Sequence, residues 1–186
     1  MKRVFAVCAL VVILCGCEEG QQELESALEL RQKILAAPEC RFEAEITADY
    51  GDKLYTFSTD CSVNSQGDLS FRVTAPETIA GISGIIEEAG GKLTFDESAL
   101  SFPLLAEGLL SPVSAPWIVM KTLRGGYIRS AGKEAGGMHL TIDDSYLEDA
   151  LQLDIWLDGN KMPERADILH NGCRILLVHI RNFQIL

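Results

Sequence analysis

Arg41-Phe42-Glu43-Ala44-Glu45-Ile46-Thr47-Ala48 is the stretch that decides the fold. Phe42, Ala44, Ile46 and Ala48 alternate with Arg41, Glu43, Glu45 and Thr47, and a period of two puts the first set on one face of a strand. Residues 53–61 repeat the pattern, with Tyr55, Phe57, Thr59 and Cys61 set against polar neighbours. Two such strands flanking Tyr50-Gly51 read as a hairpin. A turn centred there opposes Ile46 to Tyr55, Ala44 to Phe57 and Cys40 to Cys61, all on the same face. Opposed residues in a non-hydrogen-bonded antiparallel pair lie ~4.5 Å apart between Cα atoms, within disulfide reach. A structural Cys40–Cys61 disulfide is therefore expected; a three-residue loop with a glycine bulge would shift the register by one and weaken that pairing.

Working outward, residues 67–74 alternate Leu69, Phe71 and Val73 with Asp68, Ser70 and Arg72, a third strand stopped by Ala75-Pro76. Residues 79–88 and 92–96 flank Ala89-Gly90-Gly91 as a further hairpin. From Tyr127 the pattern resumes over 127–133, 138–142, 151–157, 165–170 and 173–185, with turns at Asp158-Gly159-Asn160 and Asn171-Gly172. Upstream, residues 18–37 have helical spacing, with Leu24, Ala27, Leu28, Ile34 and Leu35 on one side and Pro38 at the end. Residues 117–123 form a short helix started near Ser114-Ala115-Pro116 and stopped by Gly125-Gly126. The count is roughly nine or ten strands, mostly linked by hairpins, which makes the class α+β with an antiparallel meander.

Residues 98–116 fit neither period. Leu100, Phe102, Leu104, Leu105, Leu109 and Leu110 crowd into a stretch broken by Pro103, Gly108, Pro112 and Pro116. Apolar but irregular, it suits a cavity lid or an exposed contact patch, while core filling suits the leucines one by one. A long alternating meander needs a cover on its apolar face, and the two helices and this segment are the material available. Such a sheet encloses either a packed core or a cavity.

The address lies at the other end. Lys2 and Arg3 precede an apolar run from Val4 to Leu14, too short for a permanent span of a ~30 Å hydrocarbon core. Leu14-Cys15-Gly16-Cys17 then has the form that a lipoprotein signal peptidase cleaves. Against an ordinary secretory leader stand small Gly16 before Cys17 and polar Glu18-Glu19-Gly20-Gln21-Gln22 after it. The expected organisation is a signal peptide over 1–16, a tether over 17–22 carrying acyl lipid of the palmitate type on Cys17, and a single domain over 23–186. Loss of Lys2 and Arg3 leaves 14 basic residues against 27 acidic ones, a net −13. A chain so acidic is repelled by phosphate backbones, which argues against nucleic acid, and it has no polybasic membrane contact. Membrane residence must come from the lipid, at an extracytoplasmic face of the cell membrane. Cys173, beside the Asn171-Gly172 turn, reads as a half-buried free thiol or, alternatively, as one partner of an intermolecular disulfide.

No chemistry-bearing cluster emerges. His139, His170 and His179 are the three histidines. His170 and Cys173 alone approach a metal-ligand spacing, and they flank a turn without two further ligands, so no metal is expected. Gly81-Ile82-Ser83-Gly84 falls short of a nucleophile elbow. Asp143, Asp144, Glu148 and Asp149 lack the calcium-loop pattern and read as a solvated face. Neither catalysis nor a cofactor is expected.

The Gly67-Asp68-Leu69-Ser70-Phe71-Arg72-Val73 strand followed by Pro76, the Gly91-Lys92-Leu93-Thr94-Phe95-Asp96 strand, and the closing series from Asp154-Ile155-Trp156-Leu157-Asp158 through Pro163, Asn171-Gly172 and Val178 to Phe183 resemble the LolA/LolB-like lipoprotein carrier superfamily. The resemblance spans nearly all of the mature chain and lies in architecture more than motif. It implies a curved antiparallel sheet or unclosed β-barrel of about nine to eleven strands, covered by an N-terminal helix and a short inserted helix. It also implies binding of acyl chains or other hydrophobic groups in a cavity, with Arg72 the nearest match to an arginine that holds cargo on an early strand. Within the superfamily the chain is similar to anchored relatives of sporulating bacteria such as the germination lipoprotein GerS. That similarity implies an alternative role, a protein-interaction module or activator of an envelope or cell-wall enzyme. Phe71, Phe95, Leu100, Phe102, Leu104, Leu105, Leu109, Leu110 and Trp117 are the expected contacts to a hydrophobic ligand or partner.

Overall fold

A computed structural model describes residues 19–49, 51, 53–95, 98–102, 105–106, 109–134, 136–147 and 150–186. The leader, Cys17 and Leu104 lie outside them. Helix α1 (Glu19–Ala36) precedes β1 (Glu39–Asp49), β2 (Leu54–Asn64), β3 (Leu69–Ala75), β4 (Ser83–Glu87), β5 (Gly90–Phe95) and β6 (Ser98–Phe102). A two-residue pair, β7 (Leu105–Ala106) with β8 (Leu109–Leu110), leads through a 3-10 turn (Pro112–Ser114) into α2 (Ala115–Gly125). Strands β9 (Tyr127–Glu134), β10 (Gly137–Asp143), β11 (Leu151–Leu157), β12 (Pro163–His170) and β13 (Cys173–Ile185) complete the chain.

Eleven strands form one antiparallel sheet in the order β6-β5-β4-β3-β2-β1-β13-β12-β11-β10-β9. It is an α+β fold with an unclosed sheet, within the strand count expected. Two hairpin-linked meanders, β1–β6 and β9–β13, join where the first strand pairs the last, from Cys40 opposite Ile185 to Ala48 opposite Leu176. Helix α2 carries the chain from the β6 edge to the β9 edge, and on the way it packs against β2, β10, β12 and β13. One short helix touches strands that far apart in the order only because the sheet curls around it.

Alternation fills the concave side. Phe42, Ala44, Ile46 and Ala48 of β1 are buried with Leu176, Val178 and Ile180 of β13, Ile155 and Leu157 of β11, and Leu140 and Ile142 of β10. Onto them α2 presents Trp117, Ile118, Val119, Met120 and Leu123, all buried. Burial of such side chains contributes roughly 1.5–3 kcal/mol each relative to exposure. On the convex face a polar ladder crosses β10 to β13. His139 stacks on Trp156 at 4.6 Å, and the Arg165 guanidinium lies 4.4 Å over the other ring system of that pair, Trp156. Asp167 accepts from Arg165 Nε and Nη2 at 3.1 and 2.7 Å and from Arg174 Nη1 at 3.3 Å.

The face that α1 buries keeps Ala27 and Ile34 of the expected set but is rotated away from its three leucines. Glu23, Ser26, Ala27, Leu30, Ile34 and Ala37 point inward, whereas Leu24, Leu28 and Leu35 are exposed. The helix carries two apolar rows, and the row flanked by polar Glu23 and Ser26 is the one that meets β9 and α2. Arg31, half-buried between the rows, donates from Nε to Leu123 O at 2.7 Å and from Nη2 to Gly126 O at 2.8 Å. These are carbonyls at the C-terminal end of α2, where a cation also complements the helix dipole. Desolvation by burial lowers the pKa of this guanidinium. Arg124, in the last turn of α2, donates to Ser65 O at 2.6 Å and so ties the helix to the β2–β3 turn.

The first hairpin corrects the cysteine pairing. Ile46 opposes Phe57, Phe42 opposes Cys61, and Cys40 opposes Val63. The register is two residues away from the expected one, because β1 runs to Asp49 and β2 begins at Leu54, a longer connection than a turn on Tyr50-Gly51. A two-residue shift preserves the face, so both cysteines remain inside, but as diagonal neighbours about 7–8 Å apart, beyond disulfide reach. Both are buried free thiols. Burial pushes the Cys61 thiol up to about 12, against a weaker opposing contact from Thr59 at 3.3 Å. Burial likewise raises Cys40, while Arg124 acts in the opposite direction. Cys173 is exposed rather than half-buried. Since the thiolate is the nucleophile, iodoacetamide on the folded protein is expected to alkylate Cys173 and to reach Cys40 and Cys61 only after denaturation. Peptide mapping that recovers a Cys40–Cys61 crosslink would overturn this assignment.

Candidate functional site

The helices cover the sheet unevenly. Beside the β1 and β9–β13 side that α2 fills, the strands β2 to β5 leave an open apolar cavity of about 410 Å³. Tyr55 and Phe57 enter it from β2, Val73 from the end of β3 and Leu93 from β5. Ile79 and Ile82 come from the connection between β3 and β4, and Ser111, Pro112 and Val113 close the wall at the entry to α2. Among the described residues none that lines it is charged.

Local sequence explains each wall. Tyr55 and Phe57 are alternate residues of a strand whose outer end runs past the helical cover, so Tyr55 is exposed and Phe57 half-buried while Thr59, Cys61 and Val63 are buried. After β3 the Ala75–Pro76 peptide is cis and the chain turns: Ile79 N donates to Pro76 O at 3.1 Å and Gly81 N to Val73 O at 2.9 Å. Gly81 sits at φ +93°, a conformation that favours glycine. This connection, read from sequence as the start of a strand, folds Ile79 and Ile82 back over Val73. The strand itself begins at Ser83, and Val73 N bonds Ile82 O at 2.7 Å. Pro112 and Val113 belong to the proline-broken segment, here a 3-10 turn stabilised by Ser114 Oγ donating to Ser111 O at 2.6 Å.

The residues anticipated as contacts fall in several places. Phe71 is buried on β3, its ring packed over Gly84 so closely that a Cβ there would meet Phe71 Cζ at 2.8 Å. Leu110 and Trp117 are buried in the core, and Lys121 Nζ lies 5.0 Å over the Trp117 ring. Leu100 is 65% exposed on edge strand β6. It pairs directly with Leu93, so it shares the cavity's face and extends its apolar surface to the edge of the sheet. Phe95 ends β5 opposite Ser98, and Phe102 ends β6 opposite Gly91. Leu105 pairs with Leu110, and Leu109 with Ala106, in the small second sheet. Arg72 faces the other way, exposed between Asp60 of β2 and Ser83 of β4. Among the cavity residues, Tyr55, Phe57, Val73, Ile79, Ile82 and Leu93 escaped the sequence reading. Alternation marked Tyr55, Phe57 and Val73 as inward-facing, and nothing in it distinguishes a wall from a core; Ile79 and Ile82 lie in the connection before β4, where no alternation applies.

The geometry suits apolar binding: among the described residues the hydroxyls of Tyr55 and Ser111 are the polar side-chain groups in the cavity wall. Among the described residues no group of three or more His, Cys, Asp or Glu is placed to hold a metal ion, and no helix is long and apolar enough to cross a membrane. His170 and Cys173 face each other across the β12–β13 turn without further ligands.

No protein-family model matches the chain, and no curated protein matches it by sequence. Solved structures do. A LolA superfamily protein from Nitrosomonas europaea is 7% identical with a TM-score of 0.46, covering 90% of this chain and 94% of that one. The Mycobacterium tuberculosis lipoprotein LppX is 13% identical with a TM-score of 0.41, over 87% and 93%. A chain in the Clostridioides difficile complex of the CwlD amidase with the GerS lipoprotein is 13% identical with a TM-score of 0.41, over 87% and 95%. The chain is similar to these proteins over most of its length, and its own strand order and two helices make it an unclosed antiparallel sheet wrapped around an inserted helix.

Proposed function

We propose that this protein is a non-catalytic binding lipoprotein, which takes a lipid or acyl chain into the apolar cavity while lipid on Cys17 holds it at an extracytoplasmic membrane face. The observation that carries the reading is the cavity: about 410 Å³, with no charged residue among the described residues of its wall, on the part of the sheet that the helices leave uncovered. Small-molecule sites commonly enclose about 300–1,000 Å³ of mostly apolar surface. An apolar surface of this kind is unfavourable in water, and an acyl chain that displaces the water gains roughly 0.8 kcal/mol per buried methylene.

Mass spectrometry of the protein released gently from membranes tests the reading. A co-purifying lipid is expected at near-stoichiometric occupancy; a clean apo mass, together with failure to take up a fluorescent fatty acid, would refute it. In the same preparation Cys17→Ala is expected to leave the membrane fraction or to accumulate unprocessed, and unchanged membrane association would refute the anchor.

The exposure of Leu100 on the outermost strand favours a second reading, docking of an envelope protein along β6. Edge strands present unpaired backbone groups that accept another strand. Photocrosslinkers placed at Leu100 are expected to capture one dominant protein under this reading and lipid under the first.

A further inference from the structure

A second cleft, of about 190 Å³, lies between the start of α1 and the hairpin turns β9–β10 and β11–β12. Its wall includes Glu23, Ser26, Lys133, Met138, Asp158 and Lys161. Glu23 is the unusual member, since its side chain is only 5% exposed. Its Oε1 lies 3.3 Å from Lys133 Nζ, and its Oε2 is buried without a hydrogen-bond partner. A buried carboxylate oxygen that lacks a donor loses its hydration without compensation. Lys161 Nζ donates to Ser26 Oγ at 2.9 Å, which leaves it two further N–H groups. Asp158 is already committed: its Oδ1 accepts from Asn160 N at 2.8 Å and Met162 N at 2.9 Å and so builds the β11–β12 turn.

Two groups of each sign make the wall neutral overall. The open valences are one carboxylate oxygen on one side and lysine N–H groups on the other. Free phosphate would leave the Glu23 oxygen unpartnered, and a simple amine would leave the lysines without an acceptor. We propose that this cleft binds a zwitterion, a primary ammonium joined through a few bonds to a phosphate or carboxylate. The ammonium donates to Glu23 Oε2, and the anionic group accepts from Lys133 and Lys161. The volume suits a head group or small metabolite, being worth about six waters at about 30 Å³ each. An aminophospholipid head group and a free amino acid both carry this chemistry.

Isothermal titration of the full-length protein in an uncharged maltoside detergent, with O-phosphoethanolamine, glycine and phosphocholine as probes, tests the proposal. Saturable binding of phosphoethanolamine or glycine is expected. Phosphocholine, whose quaternary nitrogen has no N–H to donate, is expected to bind at least about tenfold more weakly, the worth of one charge-assisted hydrogen bond. Glu23→Gln and Lys161→Met are each expected to cost the better ligand about tenfold. Preference for phosphoethanolamine, with tighter association to phosphatidylethanolamine-containing vesicles than to pure phosphatidylcholine vesicles, assigns the site to a lipid head group; preference for glycine assigns it to a soluble amino acid. Absence of binding by both zwitterions, equal binding of phosphocholine, or full affinity in a folded Glu23→Gln protein would overturn the proposal. Should that variant fail to fold, the comparison of phosphoethanolamine with phosphocholine on the unaltered protein decides it.

Discussion

Arg31→Ala is expected to be among the most destabilising single substitutions outside the apolar core, costing about 2–4 kcal/mol. The guanidinium donates to Leu123 O and Gly126 O, and no other side chain donates to these carbonyls among the described contacts. Hydrogen bonds from a charged donor contribute roughly 1.5–3 kcal/mol, and truncation also leaves part-buried acceptors and a gap between two helices. For a domain of this size the midpoint of thermal unfolding should fall by roughly 5–15 °C. Arg31→Lys keeps the charge at the C-terminal end of α2 but cannot span both carbonyls in a fixed fork, so it should recover less than half of the loss. A drop below about 0.5 kcal/mol for Arg31→Ala, within the range of ordinary surface changes, would show that α2 is held by its apolar face alone.

Ile82→Trp is expected to abolish most ligand uptake while leaving the fold intact. Ile82 lies in the connection after β3, half-buried and against Val73, and an indole there projects into the cavity rather than into the close-packed core. Occupancy by co-purified lipid, and affinity for a fluorescent fatty acid, should fall at least about tenfold, equivalent to about 1.4 kcal/mol. Thermal stability should change by less than about 1.5 kcal/mol, because overpacking penalties arise where no space exists. Leu35→Trp is the matching control, an added indole on the exposed row of α1. Equal loss in both variants, or none in Ile82→Trp, would remove the cavity from the proposed function.

The strands of this fold are legible in the sequence because one face is buried and the other wet, which writes alternation directly into β1, β2, β3 and β10. The turn length after Asp49 is not written there. Tyr50-Gly51 looks sufficient for a hairpin, and the observed register, two residues longer, separates Cys40 from Cys61 without altering which face either occupies. The inward face of α1 was hidden for a different reason. Leu24, Leu28 and Leu35 make the more hydrophobic row, yet Glu23 and Ser26 lie inside, where Lys133 and Lys161 provide polar partners. The cavity was the least legible feature. Phe57 and Val73 have the pattern of any core residue, and only the place where α2 crosses the sheet decides which of the inward side chains it covers. The apolar, proline-broken stretch over 98–116 hid a regular element: Ser98–Phe102 is an edge strand of the main sheet, while Pro112 and Val113 of the following 3-10 turn line the cavity.

The seam between β1 and β13 has a kinetic meaning. Every other neighbour in the sheet is also a neighbour in sequence, reached through a hairpin soon after it is made, whereas Cys40 meets Ile185 across nearly the whole domain. Closing so long a loop is slow, and its entropy is lost before the contacts that compensate for it are formed. As the chain emerges from the ribosome, β1 to β6 can assemble early, but the outer side of β1 stays unpaired until the thirteen residues of β13 arrive. The domain therefore remains an open, strand-competent intermediate until its C-terminus is free. That state is vulnerable to aggregation, and completion of β13 is the event that ends it.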